Sequence, residues 1–406
     1  MTIKQRPDLT FKDNLSKGRH GWLRLTPAYS VRLVERILDE HPALQRILDP
    51  FSGTGTTGLV TAQRGLACDL FDINPFLIWL AEVKCANYNA HSLSRAEMAA
   101  SEIIDHARRI EDDAELWFPP ISHIERWWSP HRLIVLAKVF RALNDLLPAP
   151  CPEKDLLLIA FCRLVIQWSN AAFNHQSMSF KGESRQPYLF ADDELIFQIF
   201  ESDVREIIQA ARLDVPGEAR VFLQDSRTIP EDLVGAYDAV ITSPPYSNRM
   251  SYIRELRPYM YWLGYLKAAR DAGELDWEAI GGTWGIATSR LMNWEPNNGH
   301  STLPRLEPLL TEIGQSSPVL RQYVHKYFSD MAEHFASMYR ALTPDGRLFY
   351  VVGNSKFYDT LLPVDALYAD LMHQSGFVDI HSEVIRKRSS KKELVEFLIS
   401  ARKPLG

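Results

Sequence analysis

The chain has 406 residues, with 45 Lys plus Arg against 51 Asp plus Glu and a formal charge of −6. At roughly 150 residues per domain this length predicts two to three structural units. The composition, 46% apolar and 24% charged, excludes global disorder. The longest apolar run, 156–162, falls far short of the roughly 18 residues of a membrane span, and the polar start MTIKQRPDLTFKDN reads as no secretory signal. Cys68, Cys85, Cys151 and Cys162 lack CxxC spacing, which disfavours a zinc site or a disulfide framework. The expectation is a reduced, cytoplasmic protein without a metal. An acidic total does not exclude nucleic acid, because local basic clusters supply phosphate contacts.

Arg46–Asp49 reads as a strand entering the turn Pro50-Phe51-Ser52-Gly53-Thr54-Gly55, with a helix over 56–64. A second strand over 66–73 ends on Asp72-Ile73-Asn74-Pro75, and this alternation argues for parallel βαβ units. From 90 to 213 the apolar spacing becomes helical, over 133–147, 155–173 and 194–213. The polar stretch 174–192 is too irregular for either element and reads as a long functional or disordered loop. Strand-like runs return at 220–223, 237–242, 347–352, 378–384 and 394–400, the first of the last three entered through Asp345-Gly346. The expected fold is α/β, an open, doubly wound, seven-stranded Rossmann-like sheet. Residues 1–89 and 216–406 form its two parts, 90–215 are a helical insertion, and 267–318 are a second excursion.

The glycines of 49–58 sit where a strand yields to a helix, allowing close backbone approach to a ligand beside free N–H groups. Asp72, 17 positions after Gly55, closes the next strand, where a carboxylate can accept both ribose hydroxyls. Gly58 completes GxGxxG and keeps a dinucleotide site open, while the absence of GKS or GKT rejects a P-loop. Asp49 would set a negative charge beside the ligand, awkward for pyrophosphate and suited to a sulfonium or an amino group. S-adenosylmethionine is therefore the better ligand.

The run 237–242 leads into Ser243-Pro244-Pro245-Tyr246. Two prolines hold the chain extended and remove two donors, so their carbonyls and the Ser243 hydroxyl are expected to be free to accept from an amino group. Tyr246 offers a flat face for a base.

Together, DPFSGTGTT and TSPPY resemble the S-adenosylmethionine-dependent DNA amino-methyltransferases, closely over 45–85 and 218–265. The resemblance implies a methyltransferase sheet and S-adenosylmethionine as cofactor. It assigns Asp49, Phe51, Ser52, Gly53, Thr54 and Gly55 to the cofactor loop, Asp72 to the ribose and Asp225 to the adenine. Thr26, in Leu25-Thr26-Pro27-Ala28-Tyr29, falls beside the methionine moiety. Ser243, Pro244, Pro245 and Tyr246 would grip a flipped base. Many relatives place TSPPY first, whereas here the cofactor motif leads, as in a circular permutation. Serine at the first position points to cytosine N4, with N6-adenine as the alternative. An RNA (tRNA guanine-N2) amino-methyltransferase and an inactive DNA-binding partner subunit are the remaining readings. The dipeptide Pro150-Cys151 reads as a connector, not as a C5-methylation nucleophile.

Double-stranded DNA is the expected partner, in a nucleoid setting and without a membrane. Arg386, Lys387, Arg388, Lys391 and Lys392, between the last two strands, are candidate phosphate contacts, the bland alternative being a solvated cluster. Asn248 and Arg249 could reach the flipped nucleotide, although arginines there could equally pair with Glu255. Lys181 and Arg185, in the 174–192 loop, carry side chains that read base edges, and with the aromatic stretch 117–128 they make the helical insertion the first choice for target recognition. The excursion 267–318 is the second. A separate restriction endonuclease and a monomeric or dimeric state both stay open.

Overall fold

The computed structural model describes residues 4, 6–26, 28–112, 114–172, 179–180, 192–283, 286–296, 303–388 and 393–405. Seven strands form one sheet: β1 (Arg46–Asp49), β2 (Ala67–Asp72), β3 (Glu218–Leu223), β4 (Tyr237–Thr242), β5 (Leu342–Gly353), β6 (Val378–Lys387) and β7 (Val395–Arg402). Their order is β3-β2-β1-β4-β5-β7-β6, all parallel except β7, which runs against both its neighbours. Both β1 and β4 are buried almost throughout, as central parallel strands must be. Strand order reverses between them, and the crevice outside their carboxyl ends is where a doubly wound sheet holds ligands. The seven-stranded Rossmann-like fold expected from the sequence is the fold observed.

Two strand boundaries differ from expectation by more than two residues. β5 starts at Leu342, and Asp345 (φ 66°) is a kink inside it, held by Asp345 N–H to Lys403 O and Lys403 N–H to Gly346 O. β6 runs on to Lys387, so Arg386 and Lys387 are strand residues opposite Glu396 and Val395, not part of a link.

The helices used below are α1 (Val31–Glu40), α2 (Thr56–Gln63), α3 (Pro75–Cys85), α4 (Ala90–Arg109), α5 (Pro130–Leu146), α6 (Pro152–Gln167), α7 (Asp192–Ala211), α8 (Tyr252–Trp262), α9 (Pro318–Ala341) and α10 (Val364–Gln374). The helix expected over 155–173 stops at Gln167, because the Ser169 hydroxyl donates to Ile166 O and accepts from Ala171 N, a local turn that competes with the helix. Ala171–Ala172 then pairs with Ser179–Phe180. The rest of the 174–192 loop up to Ala191, with Lys181 and Arg185, lies outside the described residues.

Helices α4 to α7 share one apolar core with α3 and α8, gathered around Trp22, Phe161, Phe200 and Trp262. Trp127 and Trp128 belong to that core, at 2% and 0% exposure. This corrects the view of 117–128 as a DNA-reading stretch: packing claims Trp127 and Trp128, while Trp117 and Phe118 stay exposed. The Arg19 guanidinium staples the layer, donating to carbonyls of Lys84 and Ala86 at the end of α3 and of Ala210, Ala211 and Leu213 at the end of α7. Cys151 caps α6, and burial pushes its thiol up, as suits a connector. Among the described residues no helix is long and apolar enough to cross a membrane.

Candidate functional site

At the carboxyl end of β1 the chain turns at once into α2. Gly55 makes this possible with φ 73°, a region that penalises any Cβ, and a Cβ there would lie 3.1 Å from that of Ala81 on α3. Lys84, buried on α3, donates to the Thr54 carbonyl at 2.6 Å and fixes the turn from behind. Burial lowers its pKa to about 8. Sequence reasoning missed this residue, although a lone cation in the apolar helix PFLIWLAEVKC is a legible signal.

The expectation that Asp49 faces a ligand is corrected. Its carboxylate is fully buried behind the loop, accepting from Thr57 Oγ1 and Thr242 Oγ1 at 2.5 Å each and from Phe51 N–H at 3.1 Å. Burial pushes it up to about 6. Asp49 thus ties β1, α2 and β4 together. Asp72 is the acid that borders the crevice. It accepts from Gly53 N–H at 3.0 Å and Asn74 N–H at 2.9 Å, and burial, reinforced by the Asp49 charge, still pushes it up to about 7. Ser52 borders the same space, its buried hydroxyl without a hydrogen-bond partner among the described residues.

The Phe51 ring lies 4.7 Å from that of His334, which burial holds neutral by lowering its pKa to about 3. Its Nδ1 faces the Ser226 carbonyl, so that nitrogen carries the proton and Nε2 accepts from Tyr350 OH at 2.6 Å. Asp225 borders the crevice, with both carboxylate oxygens engaged by Arg227. Burial would raise its pKa, but the Arg227 hydrogen bonds outweigh burial and hold it below the ordinary value. Thr26 does not border the crevice: its N–H and hydroxyl are spent on Glu255, while its neighbours Leu25, Ala28 and Tyr29 form the wall. Glu255 takes both Thr26 donors through Oε1, and the Arg24 charge also acts on it.

At the carboxyl end of β4, Ser243 Oγ donates to Val351 O at 2.9 Å, so only its lone pairs are left to offer. The Pro244 carbonyl has no hydrogen bond among the described residues. The Pro245 carbonyl is not free, contrary to expectation, because Tyr327 OH donates to it at 2.7 Å and Tyr368 OH backs Tyr327. Tyr246 OH donates to Glu396 Oε1 at 2.8 Å, and the Arg388 guanidinium lies 4.8 Å from its ring centroid. Burial and the Glu396 charge hold the phenol well above its ordinary pKa. Glu396, 3% exposed, also takes Arg386 Nε at 2.6 Å and Nη2 at 2.9 Å. Arg386 is thereby corrected from a phosphate contact to an inward clamp on Tyr246.

The loop after β1, the ends of β2 and β3, Ser243, Pro245 and the start of α8 border one open cleft of about 1000 Å³, its solvent-open mouth included. Its far wall is the stretch 276–282, which sequence reasoning had offered only as a target-recognition candidate. Asp72, Asp225, Asp276 and Glu278 line it, with no Lys, Arg or His among the described residues. Such a cleft favours a cationic ligand and disfavours pyrophosphate, which sets the dinucleotide reading aside. A second cleft, of about 850 Å³, is bordered by Asn248 and Arg249 directly after the tetrapeptide, and by Lys356 and Arg388. It carries no carboxylate among the described residues.

Residues 31–112 match the model of the D12 class N6 adenine-specific DNA methyltransferases. The type II methyltransferase M.AvaI of Nostoc sp. (strain PCC 7120) is 22% identical over 92% of this chain and 82% of its own. M.BsoBI of Geobacillus stearothermophilus is 22% identical over 96% and 85%. The family match and these relatives support a DNA amino-methyltransferase family for the chain. The rRNA methyltransferase aviRa from Streptomyces viridochromogenes aligns over 96% of this chain and 92% of its own, at 13% identity and a TM-score of 0.29. The matching family implies the use of S-adenosylmethionine.

The expected DNA contacts fall into three groups. Arg249 and Lys387 have no ion pair among the described residues, and Arg249, at φ 61°, stands at the mouth of the basic cleft. Asn248 spends its Oδ1 on Met250 N–H, and Arg388 gives Nη1 to Asn354 O while shielding Tyr246. Lys391 and Lys392 lie outside the described residues. Within those residues no group of three or more His, Cys, Asp or Glu could hold a metal ion.

Proposed function

We propose that the chain transfers a methyl group from S-adenosylmethionine to the exocyclic N4 of a cytosine flipped out of duplex DNA, in a restriction–modification or defence setting. The observation that carries this reading is one acid-lined cleft bordered at once by Asp72 and by Ser243.

The residues fit the cofactor. An unpartnered buried hydroxyl at Ser52 waits for a polar group, four carboxylates suit a cation, and Leu25, Leu77, Ile253 and Ile280 suit its apolar parts. When bound, S-adenosylmethionine supplies an electrophilic methyl group on a sulfonium. Asp72, steadied by two backbone N–H groups, accepts the ribose hydroxyls, and the Asp225 edge, locked by Arg227, faces the adenine. Ser243 Oγ and the Pro244 carbonyl accept the hydrogens of the base amino group, which localises the nitrogen lone pair and aims it at the methyl carbon. Tyr246, held by Glu396 and Arg388, braces the base. Pro245, tied to Tyr327, fixes the turn.

A second reading, N6-adenine, is favoured by the description of the matching family model. That match covers β1 and β2 and ends at residue 112, well before Ser243, and the serine supports the cytosine reading. Incubation with methyl-tritiated S-adenosylmethionine and either plasmid DNA or total RNA tests the function. Label on DNA is expected; label on RNA alone would favour the tRNA-type alternative, and none on either the inactive subunit.

Two variants probe the clamp and the DNA surface. Glu396→Gln strips Tyr246 of its charged acceptor and Arg386 of its partner, so turnover should fall about tenfold, the loss of roughly one charge-assisted hydrogen bond. Cofactor affinity should stay unchanged in calorimetry. Neutralising Arg249 and Lys387 should weaken binding to all sequences alike and reduce the salt slope by about 0.9 for each phosphate left without its cation. Fluorescence titrations at several salt concentrations measure this, and Arg386→Ala should leave the slope unmoved.

A further inference from the structure

Between β5 and α10 a hairpin, Ser355–Phe357 paired with Thr360–Leu362, rises beside the basic cleft. Its root is rigid. Phe357 is 6% exposed and meets Tyr323 edge-on, Leu362 is fully buried, and Ser247 Oγ lies 3.4 Å from Ser355 Oγ, coupling the hairpin to the segment after Tyr246. Its tip is a two-residue turn whose first position is Tyr358, at φ 52°. Glycine is the usual occupant of a positive-φ turn position, and an aromatic residue there is strained. The ring gains nothing in return: it is 61% exposed and makes no ring, cation or hydrogen-bond contact among the described residues. An aromatic side chain kept on a strained, stiff tip, with Asp359 as its only turn neighbour and Arg249, Lys356 and Arg388 bordering the cleft beneath it, matches the needs of a duplex with one nucleotide removed from its stack.

We propose that Tyr358 is the wedge of this enzyme, entering the duplex and stacking in the place the target base vacates, while Arg249 at the mouth of the cleft holds a flanking phosphate. The inference rests on the DNA methyltransferase reading above. Extruding a base leaves its neighbours unstacked, and an inserted side chain recovers part of that loss. Phe357 and Leu362 anchor the hairpin, so the ring is placed before DNA arrives and little ordering is required on binding.

The test uses Tyr358→Gly and Tyr358→Phe in the full chain, with a duplex carrying 2-aminopurine in place of the target base. The glycine variant relieves the strained turn, so its melting temperature should not fall below that of the wild type. Its affinity for duplex DNA should drop roughly tenfold to a hundredfold, the worth of one aromatic–base stack, and the fluorescence rise that reports the extruded base should be lost. Affinity for single-stranded DNA and for S-adenosylmethionine should stay within about twofold. Tyr358→Phe should restore duplex binding. An unchanged duplex affinity, or an equal loss on single strands, overturns the wedge while leaving the enzyme a DNA methyltransferase. A wild-type chain that neither binds nor methylates duplex DNA overturns the underlying reading, and the wedge with it.

Discussion

Ser243→Ala is expected to slow methyl transfer by one to two orders of magnitude, about 1.4–3 kcal/mol, while leaving S-adenosylmethionine affinity nearly unchanged. The reason lies in what the hydroxyl does with its proton. Ser243 Oγ–H is committed to the Val351 carbonyl on β5, so the oxygen presents lone pairs to the cleft. The neighbouring Pro244 carbonyl offers the second acceptor, and the Pro245 carbonyl, tied to Tyr327, does not compete. Alanine removes one of the two acceptors that localise the amino lone pair, and that interaction strengthens as the nitrogen becomes pyramidal. Single-turnover kinetics separates this effect from DNA binding. A loss confined to KM would place Ser243 in ground-state binding instead. Tyr246→Ala should also lower turnover, by freeing the base and by leaving Glu396 with Arg386 alone.

Asp72→Ala is expected to weaken S-adenosylmethionine binding by about 3 kcal/mol, roughly a hundredfold, because two charge-assisted contacts to ribose hydroxyls vanish together. The same carboxylate holds Gly53 N–H and Asn74 N–H, so alanine also loosens the loop, and Asp72→Asn is the control that keeps one acceptor. Burial pushes the Asp72 carboxyl up to about 7, and only the ionised form accepts from both hydroxyls without spending a lone pair on a proton. Cofactor affinity should therefore tighten as pH rises from 6 to 8, and Asp72→Asn should remove the part of that dependence owed to this group. Folding stability should move the other way. A carboxyl whose folded pKa is raised contributes stability that is complete below its unfolded value and is lost as pH climbs towards 7. The ligand-free protein should melt at a lower temperature at pH 7 than at pH 5 by more than Asp72→Asn does. Calorimetry of both chains across that window checks both signs.

The seven strands were legible because apolar runs such as 237–242 end on chemistry-bearing turns, and both central strands are buried on two faces. The crevice residues on those turns, Asp72, Ser52 and Ser243, were legible for the same reason. Side-chain direction was not. Asp49 sits one peptide from residues that line the cleft and yet points into the sheet, where Thr57 and Thr242 receive it, a choice set by a strand brought in from nearly two hundred residues away. The pairing of Arg386 with Glu396 depends on the register of β6 against β7, which a run of basic letters does not reveal. Asp276 and Glu278 reach the cleft only because the excursion folds back over it. Lys84 is the exception that a closer reading of helix α3 would have caught, since a buried lysine must find an acceptor.

The central claim is the identity of the methylated atom. Duplex DNA treated with the wild-type chain and S-adenosylmethionine carrying a labelled methyl group, then digested to nucleosides and analysed by mass spectrometry, reads it directly. Labelled N4-methylcytosine is the predicted product, lost in Ser243→Ala on the timescale of the wild-type reaction. Labelled N6-methyladenine in its place would contradict the cytosine assignment and return the base pocket to the adenine reading.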